Sequence, residues 1–176
     1  MDFNTSSTSV WGNVRMRVAL ALDVTGSMDS DGKMTAMKPA AKALIDQIAA
    51  LAKNTGDIYI SLIPFAKDVN VGPSNYNESW IDWTDWEAAN GTCSKSSYHS
   101  KSSCIANYGI WTPKNHSYWN GCVNDRDQNN DALNTATAEG SPATKYRAHQ
   151  ATACPVSMMA LTSDWTALNG KVDAMT

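Results

Sequence analysis

This sequence has no excess of positive charge. Its 14 basic and 17 acidic residues give a formal net charge of -3. Proteins that bind nucleic acids through the phosphate backbone present a broad basic surface, so we expect no nucleic-acid partner. The sequence also lacks an apolar run of about 18 residues, the length that a membrane-spanning helix requires. No signal segment of basic, apolar and small residues opens the chain.

Motifs of common catalytic sites are also missing. The segment from Asp23 to Met28 contains a glycine but not the lysine of a phosphate-binding P-loop. The histidines His99, His116 and His149 are scattered, and none is paired with a serine or cysteine in a recognisable nucleophile motif. We therefore expect a binding protein rather than an enzyme.

The cysteines Cys93, Cys104, Cys122 and Cys154 lie in one segment rich in Ser, Asn and Trp, and no pair has the C-x-x-C spacing. This argues against a zinc or dithiol redox site. An even number in a polar segment is typical of disulfides formed in an oxidising compartment. Of the three pairings that are open, Cys93–Cys104 with Cys122–Cys154 is favoured because short loops close most easily. The alternative is four free thiols in a cytosolic protein.

The chain begins with a polar segment and continues with a strand–helix–strand pattern. Residues 1–13 are rich in Ser and Thr, lack periodicity and are interpreted as a linker. In VRMRVALALDV (14–24) apolar residues alternate, which predicts a strand, half-exposed at first and buried on both faces later. Apolar residues then recur at helical spacing from Lys33 towards Gly56, and DIYISLIPFA (57–66) predicts a second buried strand. This order predicts a parallel crossover, the start of a doubly wound α/β sheet.

A long segment without periodicity follows this first part of the domain, which spans residues 14–71. Residues 72–155 hold all four cysteines and five of the seven tryptophans. Because unstructured loops of this length are uncommon in compact domains, we interpret the segment as a disulfide-pinned irregular insertion. Residues 156–176 return to the domain with a helix capped by Thr162 or Ser163. The apolar face of this helix is formed by Trp165, Leu168, Val172 and Met175.

Three oxygen-bearing side chains lie at alternate positions where the first strand ends. Asp23, Thr25 and Ser27 precede the first helix, at the sheet edge where open α/β proteins bind ligands. Alternate residues of an extended backbone point the same way, and Gly26 allows a sharp turn between them. One carboxylate and two hydroxyls suit a hard cation, Mg²⁺ or Mn²⁺, with Ca²⁺ as an alternative. The competing interpretation is that Asp23 caps the helix while the hydroxyls bond to amides of the turn.

The same segment resembles a known family. VALALDVTGSM (18–28) resembles the first metal-site segment of von Willebrand factor A domains, whose pattern is D-x-S-x-S, with Thr25 in place of the first serine. Further segments look like the A-type domain of bacterial tight-adherence (TadG-type) pilus-assembly proteins. They are GKMTAMKPAAKALIDQIA, DIYISLIPFAKDVNVG, the Trp- and Cys-rich segment, and LTSDWTALNGKVDAMT after it. The resemblance covers most of residues 14–176.

That resemblance implies a fold and a function. The implied fold is a doubly wound, Rossmann-like sheet of the von Willebrand factor A type, here incomplete because the chain corresponds to the amino-terminal portion of the domain. In the family a Thr and an Asp on two later loops complete the cation site, and neither can be placed in this sequence. The implied protein is a metal-dependent binding or adhesion domain on the periplasmic or extracellular face of a bacterial cell envelope. Its partner would be a pilus or envelope protein that offers an acidic residue, and its membrane anchor would lie upstream of residue 1.

A second candidate cation site lies in the acidic segment DRDQNND. Asp125, Asp127, Asn129 and Asp131 alternate as in the first half of an EF-hand calcium loop. The sixth position is not Gly and the twelfth is not Glu, so an EF-hand is not expected. The segment predicts either an irregular Ca²⁺ site or a solvated acidic loop.

Three tryptophans in the insertion, Trp80, Trp83 and Trp86, recur at every third residue. Aromatic faces supply large contact areas, so they could form a platform for a ligand. The other interpretation, which we prefer, is a small core for the insertion. The platform underlies a second functional hypothesis, a carbohydrate-binding or surface-structural module.

Overall fold

Strands β1 (Met16–Asp23) and β2 (Ile58–Phe65) form the parallel pair predicted from the sequence, and helix α1 (Lys33–Ala49) joins them. The computed structural model describes residues 15–176, so the linker predicted for residues 1–13 lies outside the described residues. Asp23 is opposite Phe65 in the register, and both strands therefore end at the same edge of the sheet. The predicted strand–helix–strand unit is confirmed.

Part of the predicted apolar stripe of helix α1 packs against the sheet, with Ala41 and Ile45 buried in the core. Leu44 and Leu51, which share its helical spacing, are 43% and 58% exposed. It ends well before Gly56, which lies in the turn before β2 with φ of +92°. Pro39 lies inside the helix, where it cannot donate a hydrogen bond to the carbonyl of Thr35. Both residues are exposed, so water can satisfy the carbonyl and the helix continues through the proline.

The segment 72–155 adds strands to the same sheet. The remaining strands are β3 (Val69–Asn70), β4 (Ile81–Asp82), β5 (Gly91–Cys93), β6 (Trp111–Pro113), β7 (Cys122–Asn124), β8 (Tyr146–His149) and β9 (Met159–Thr162). The central sheet has the order β1-β2-β3-β7-β8-β4, and β9 also pairs with β2. The β1–β2 and β4–β8 pairs are parallel and the others antiparallel. The predicted insertion is therefore an extension of a mixed sheet, with a separate β5–β6 hairpin.

Three further helices complete the described secondary structure: α2 (Thr84–Ala89), α3 (Lys101–Ala106) and α4 (Trp165–Asp173). The predicted cap of α4, Thr162 or Ser163, is wrong. Asp164 caps this helix because its carboxylate accepts a hydrogen bond from Ala167 N (2.9 Å). Thr162 is used one step earlier, since its hydroxyl oxygen accepts a bond from Asp164 N (3.1 Å).

Strand β1 is the outermost strand of the sheet and is covered on one face only. Ala19 and Ala21 are exposed, so the prediction that the second half of β1 is buried on both faces is wrong. Helices α1 and α4 supply buried residues to the core on the other face. The residues of β1 that pack against this core are Met16, Val18, Leu20 and Leu22.

The described residues contain two apolar cores. One lies between β1, β2 and the helices α1 and α4, and the other is an aromatic cluster around Trp86 and Trp119 in the segment 72–155. The fold is therefore mixed α/β, as predicted, while the doubly wound sheet of the von Willebrand factor A type stays a prediction. No described helix combines the length and apolar character needed to cross a membrane.

Candidate metal centre

The backbone turns directly after β1, at the residues predicted to hold a cation. Val24 N donates to Phe65 O (2.9 Å), so the pairing with β2 continues one residue past Asp23. Thr25 has an extended backbone, with φ of -63° and ψ of 156°, and precedes a 3-10 helix over Gly26–Asp29. The sheet thus fixes Asp23, and the short helix fixes the position of the residues that follow.

The structure brings the three predicted side chains together. Thr25 N donates to Asp23 Oδ1 (2.8 Å), and the hydroxyl oxygens of Thr25 and Ser27 are 2.9 Å apart. This is the convergence that alternate spacing implies. The competing interpretation, in which these side chains bond to the backbone of the turn, also agrees with this geometry in part. The Asp23 carboxylate accepts a hydrogen bond from a backbone amide of the turn.

Hydrogen bonding holds the pKa of the Asp23 carboxyl below its ordinary value. The backbone N–H of Thr25 is the main cause and the Thr25 side chain the second, while burial acts weakly in the opposite direction. Both hydrogen bonds favour the charged form. Asp23 therefore offers a full negative charge at neutral pH.

The donor set fits a hard divalent cation. Asp23 supplies a carboxylate, and Thr25 and Ser27 supply hydroxyl oxygens, the types of ligand that Mg²⁺ and Mn²⁺ prefer. Within residues 15–176, no three His, Cys, Asp or Glu side chains form a cluster that could hold a metal ion. A cation at Asp23 would therefore depend on the hydroxyls, and on water, for its other ligands.

A second D-x-T turn in the fold shows what Ser27 adds. At the end of β4, Thr84 N and Thr84 Oγ1 both donate to Asp82 Oδ1, at 3.1 and 2.7 Å. The residue that corresponds to Ser27 is Trp86, which is 2% exposed. The aspartate–threonine turn can thus form without a third oxygen donor, and Asp82 and Thr84 provide an internal control for the triplet.

The acidic segment does not form the second predicted cation site as a carboxylate cluster. The Oδ1 atoms of Asp125 and Asp131 accept the backbone amides of the residues that follow them, at 2.8 and 2.7 Å. Asp127 pairs with the guanidinium of Arg147. The three carboxylates are absent from any metal-holding group of the described chain, and nothing further is assigned to Asn129. The irregular Ca²⁺ site and the solvated acidic loop both stay predictions for this segment.

Two disulfides, Cys93–Cys104 and Cys122–Cys154, are formed. This is the pairing that the shorter loops favour. The first closes the β5–β6 hairpin onto α3, and the second joins β7 to the segment that precedes β9. Disulfides persist in oxidising environments, so the chain is suited to an extracellular or periplasmic location.

The three tryptophans of the predicted platform do not share one exposed face. Trp86 is 2% exposed, and its Nε1 donates to Gln150 Oε1 (2.9 Å). Trp83 stacks on the ring of His116, with centroids 3.7 Å apart. Trp80 packs edge-on against Tyr146. Trp83 and Trp86 therefore belong to the core of the insertion, whereas Trp80 lines a cavity.

An open, mostly apolar cavity of about 740 Å³ lies on the sheet. It begins at Phe65, which is opposite Asp23 in the register of β1 and β2. Its lining includes the aromatic rings of Trp80 and Tyr146 and, among polar groups, Asn75, Asn124 and Asp125. No sequence pattern predicted this cavity, because its lining comes from loops and from five strands that are far apart along the chain: β2, β3, β7, β8 and β9.

A buried carboxylate in the β2–β3 turn was also missed by the sequence analysis. Asp68 is 5% exposed, and its Oδ1 lies 2.8 Å from Nδ1 of His149 on β8. The pair connects the β2–β3 turn to β8, which is two strands away from β3 in the sheet. Neither residue belongs to a recognisable motif, so only the strand order reveals their contact.

The comparisons leave the family open. Searches with models of protein families, among curated proteins and among solved structures gave no significant match. The resemblance to von Willebrand factor A domains therefore rests on the sequence segments described above.

Proposed function

We propose that this chain is a metal-ion-dependent protein-binding domain and not an enzyme. Asp23, Thr25 and Ser27 hold a divalent cation, Mg²⁺ or Mn²⁺ with Ca²⁺ as the alternative, at the carboxyl edge of the sheet. The observation that carries this proposal is the convergence of the three side chains, with the Thr25 and Ser27 oxygens 2.9 Å apart and Asp23 bonded to Thr25.

The cation supplies the charge that attracts the partner. With one protein carboxylate in its shell it keeps a net positive charge and open positions filled by water. A carboxylate from an Asp or Glu of a partner protein can displace one of these waters. The site thereby turns an acidic protein surface into a specific acceptor for an acidic residue.

The proposed setting is a bacterial cell envelope, in the assembly or adhesion of a pilus of the tight-adherence type. Two disulfides support an oxidising compartment. The D-x-T-x-S segment and the Trp- and Cys-rich segment support the family resemblance. The membrane attachment that the resemblance implies is proposed for a segment upstream of residue 1.

Calorimetric titration with Mg²⁺, Mn²⁺ and Ca²⁺ tests the metal site. We expect saturable binding to the wild-type chain and its loss in Asp23→Ala/Ser27→Ala. The matched control is Asp82→Ala/Thr84→Ala, which removes a turn of the same kind without touching the triplet. Equal cation binding by the wild type and both variants, all shown to be folded by circular dichroism, would reject the proposed site.

A second candidate function is carbohydrate binding in the cavity of about 740 Å³. It is favoured by one observation: Trp80 and Tyr146 lie there together with amide and carboxylate side chains. Sugars stack on aromatic rings and bond to such polar groups. This function would use the A-type part of the chain as a scaffold only.

A glycan array in the presence of a chelator separates the two functions. Carbohydrate binding that survives chelation and is lost in Trp80→Ala would favour the second. Tyr118→Ala is the control, because Tyr118 is 73% exposed and lies outside the cavity lining. No sugar binding, or binding that Trp80→Ala leaves unchanged, would reject the carbohydrate function of this cavity.

A further inference from the structure

The β5–β6 hairpin carries three exposed apolar side chains, which we call the apolar tip: Ile105, Tyr108 and Ile110. Tyr108 is 94% exposed, Ile110 72% and Ile105 57%. Single exposed apolar residues are ordinary on protein surfaces. Ile105 and Tyr108 share one turn, since Tyr108 N donates to Ile105 O (3.0 Å), and Ile110 follows two residues later. A concentrated apolar surface of this kind marks an interaction site.

The Cys93–Cys104 disulfide and a tight turn restrain the backbone that carries the apolar tip. A Cβ atom at Gly109 would lie 2.6 Å from Cys93 Sγ and 2.7 Å from Cys104 Sγ, so only glycine fits against this disulfide. Gly109 N donates to Cys104 O (2.8 Å). Tyr108 itself has φ of +58°, an unfavourable conformation for a large side chain. The disulfide and the turn thus hold the Tyr108 ring in solvent.

The segment that carries the apolar tip is positively charged. Residues 88–124 include Lys95, Lys101 and Lys114 but no Asp or Glu, although the whole chain has a net charge of -3. Lys95 Nζ donates to Asn107 O (2.6 Å), which places this ammonium group beside the tip. The hairpin is therefore a positively charged end of an otherwise acidic protein, and this asymmetry orients it towards negative surfaces.

We propose that the apolar tip inserts into the interface of an anionic lipid bilayer, with the lysines bound to the headgroups. Aliphatic side chains favour the acyl boundary and tyrosine favours the headgroup level. Each lysine near an anionic surface adds about fivefold to the binding. An acidic protein would also attract the lysines, but the exposed apolar side chains would need a matching pocket there, whereas a lipid interface adapts to them. The proposal does not depend on the metal site.

Co-sedimentation with lipid vesicles tests this proposal on the full chain with its disulfides intact. One set of vesicles contains phosphatidylglycerol and phosphatidylcholine in equal parts, and the other contains phosphatidylcholine alone. The variants are Tyr108→Ser/Ile110→Ser for the apolar tip and Lys95→Gln/Lys101→Gln for the charge, since Lys95 bonds to Asn107 O and Lys101 lies one helical turn before Ile105. Leu51→Ser is the matched control, because Leu51 is 58% exposed and lies just after α1. Mass spectrometry and circular dichroism verify the disulfides and the fold of each variant.

We expect the wild type and Leu51→Ser to bind the anionic vesicles equally. We expect Tyr108→Ser/Ile110→Ser to bind at least about tenfold more weakly, and Lys95→Gln/Lys101→Gln about thirtyfold more weakly. No binding by the wild type would overturn the proposal. So would binding that the Tyr108 and Ile110 changes leave intact, since it would be electrostatic only. Binding to immobilised polyglutamate but to neither set of vesicles would assign the surface to an acidic protein instead.

Discussion

Among single residues, Asp68 has the clearest energetic consequence, because its carboxylate is 5% exposed and its partner is His149. Replacing His149 with Ala leaves a buried acceptor unpaired, which costs about 1–3 kcal/mol. We expect His149→Ala to lower the free energy of unfolding in urea by this amount. His99→Ala, in an exposed loop, is the control and should change it by less than about 0.5 kcal/mol. Equal stability of the two variants would show that the pair contributes nothing.

Asp57 makes the stability of the fold sensitive to acid. Its carboxylate accepts the backbone amides of Asn54 (2.8 Å) and Lys53 (3.2 Å), and the Asn54 bond is the main cause that holds its pKa below the ordinary value. Because the folded pKa lies below the unfolded value of about 3.9, this stabilisation is present above that pH and is lost as the pH falls through the folded pKa.

We therefore expect Asp57→Asn to be less stable than the wild type at neutral pH, since the amide is a weaker acceptor than the carboxylate. The difference should shrink once the pH falls below about 4. Urea unfolding of both proteins at neutral and acidic pH measures it. A difference that is constant over the whole pH range would contradict this assignment.

Residue-level contacts were predictable from the sequence only where the partners are close along the chain. Asp23, Thr25 and Ser27 converge as alternate positions imply, and the cysteines pair across the shorter loops. Asp68 and His149 are 81 residues apart. Their contact depends on the pairing of β3, β7 and β8, for which the sequence gives no spacing rule.

Among the elements, helix α4 has a cap that the sequence pattern located one or two residues too early. Asp164 accepts Ala167 N (2.9 Å), so Asp164→Ala removes a capping bond that stabilises the protein by about 1 kcal/mol. We expect this loss in thermal or urea unfolding. Ser163→Ala, at a position that the sequence favoured, should have little effect. A larger loss of stability in Ser163→Ala than in Asp164→Ala would indicate that Ser163 caps the helix.

The long elements were predictable and the short ones were not. Strands β1 and β2 and helix α1 are long enough for their periodicity to be read directly. Strands β3 and β4 have two residues each, and β5, β6 and β7 have three each. Such lengths contain no measurable period, so the sequence indicated an irregular insertion where the fold extends its sheet. One face of β1 is exposed because the strand lies at the edge of the sheet, and no local sequence pattern indicates that position.

At the level of the whole molecule, the two disulfides differ in what they stabilise. Cys122–Cys154 spans 32 residues and joins the central sheet to the chain before β9, whereas Cys93–Cys104 spans 11 residues within one hairpin. Loop-closure entropy assigns about 3.7 kcal/mol to the longer loop and about 2.8 kcal/mol to the shorter. We expect Cys122→Ser/Cys154→Ser to be the more destabilising double substitution in urea unfolding. Greater destabilisation by Cys93→Ser/Cys104→Ser would contradict this order.

The position of β1 at the margin of the sheet has a consequence for concentrated solutions. Among residues 15–176 no strand pairs with its outer side, so alternate residues of this eight-residue strand direct free backbone donors and acceptors there. Such an edge is a template on which a second molecule can add a strand. Arg15 and Arg17 place positive charges at the start of this edge, which repel a second copy. Ala19 and Ala21 add no charge to the rest of the edge. Aggregation through this strand, rather than unfolding, would then limit how concentrated the protein can be kept.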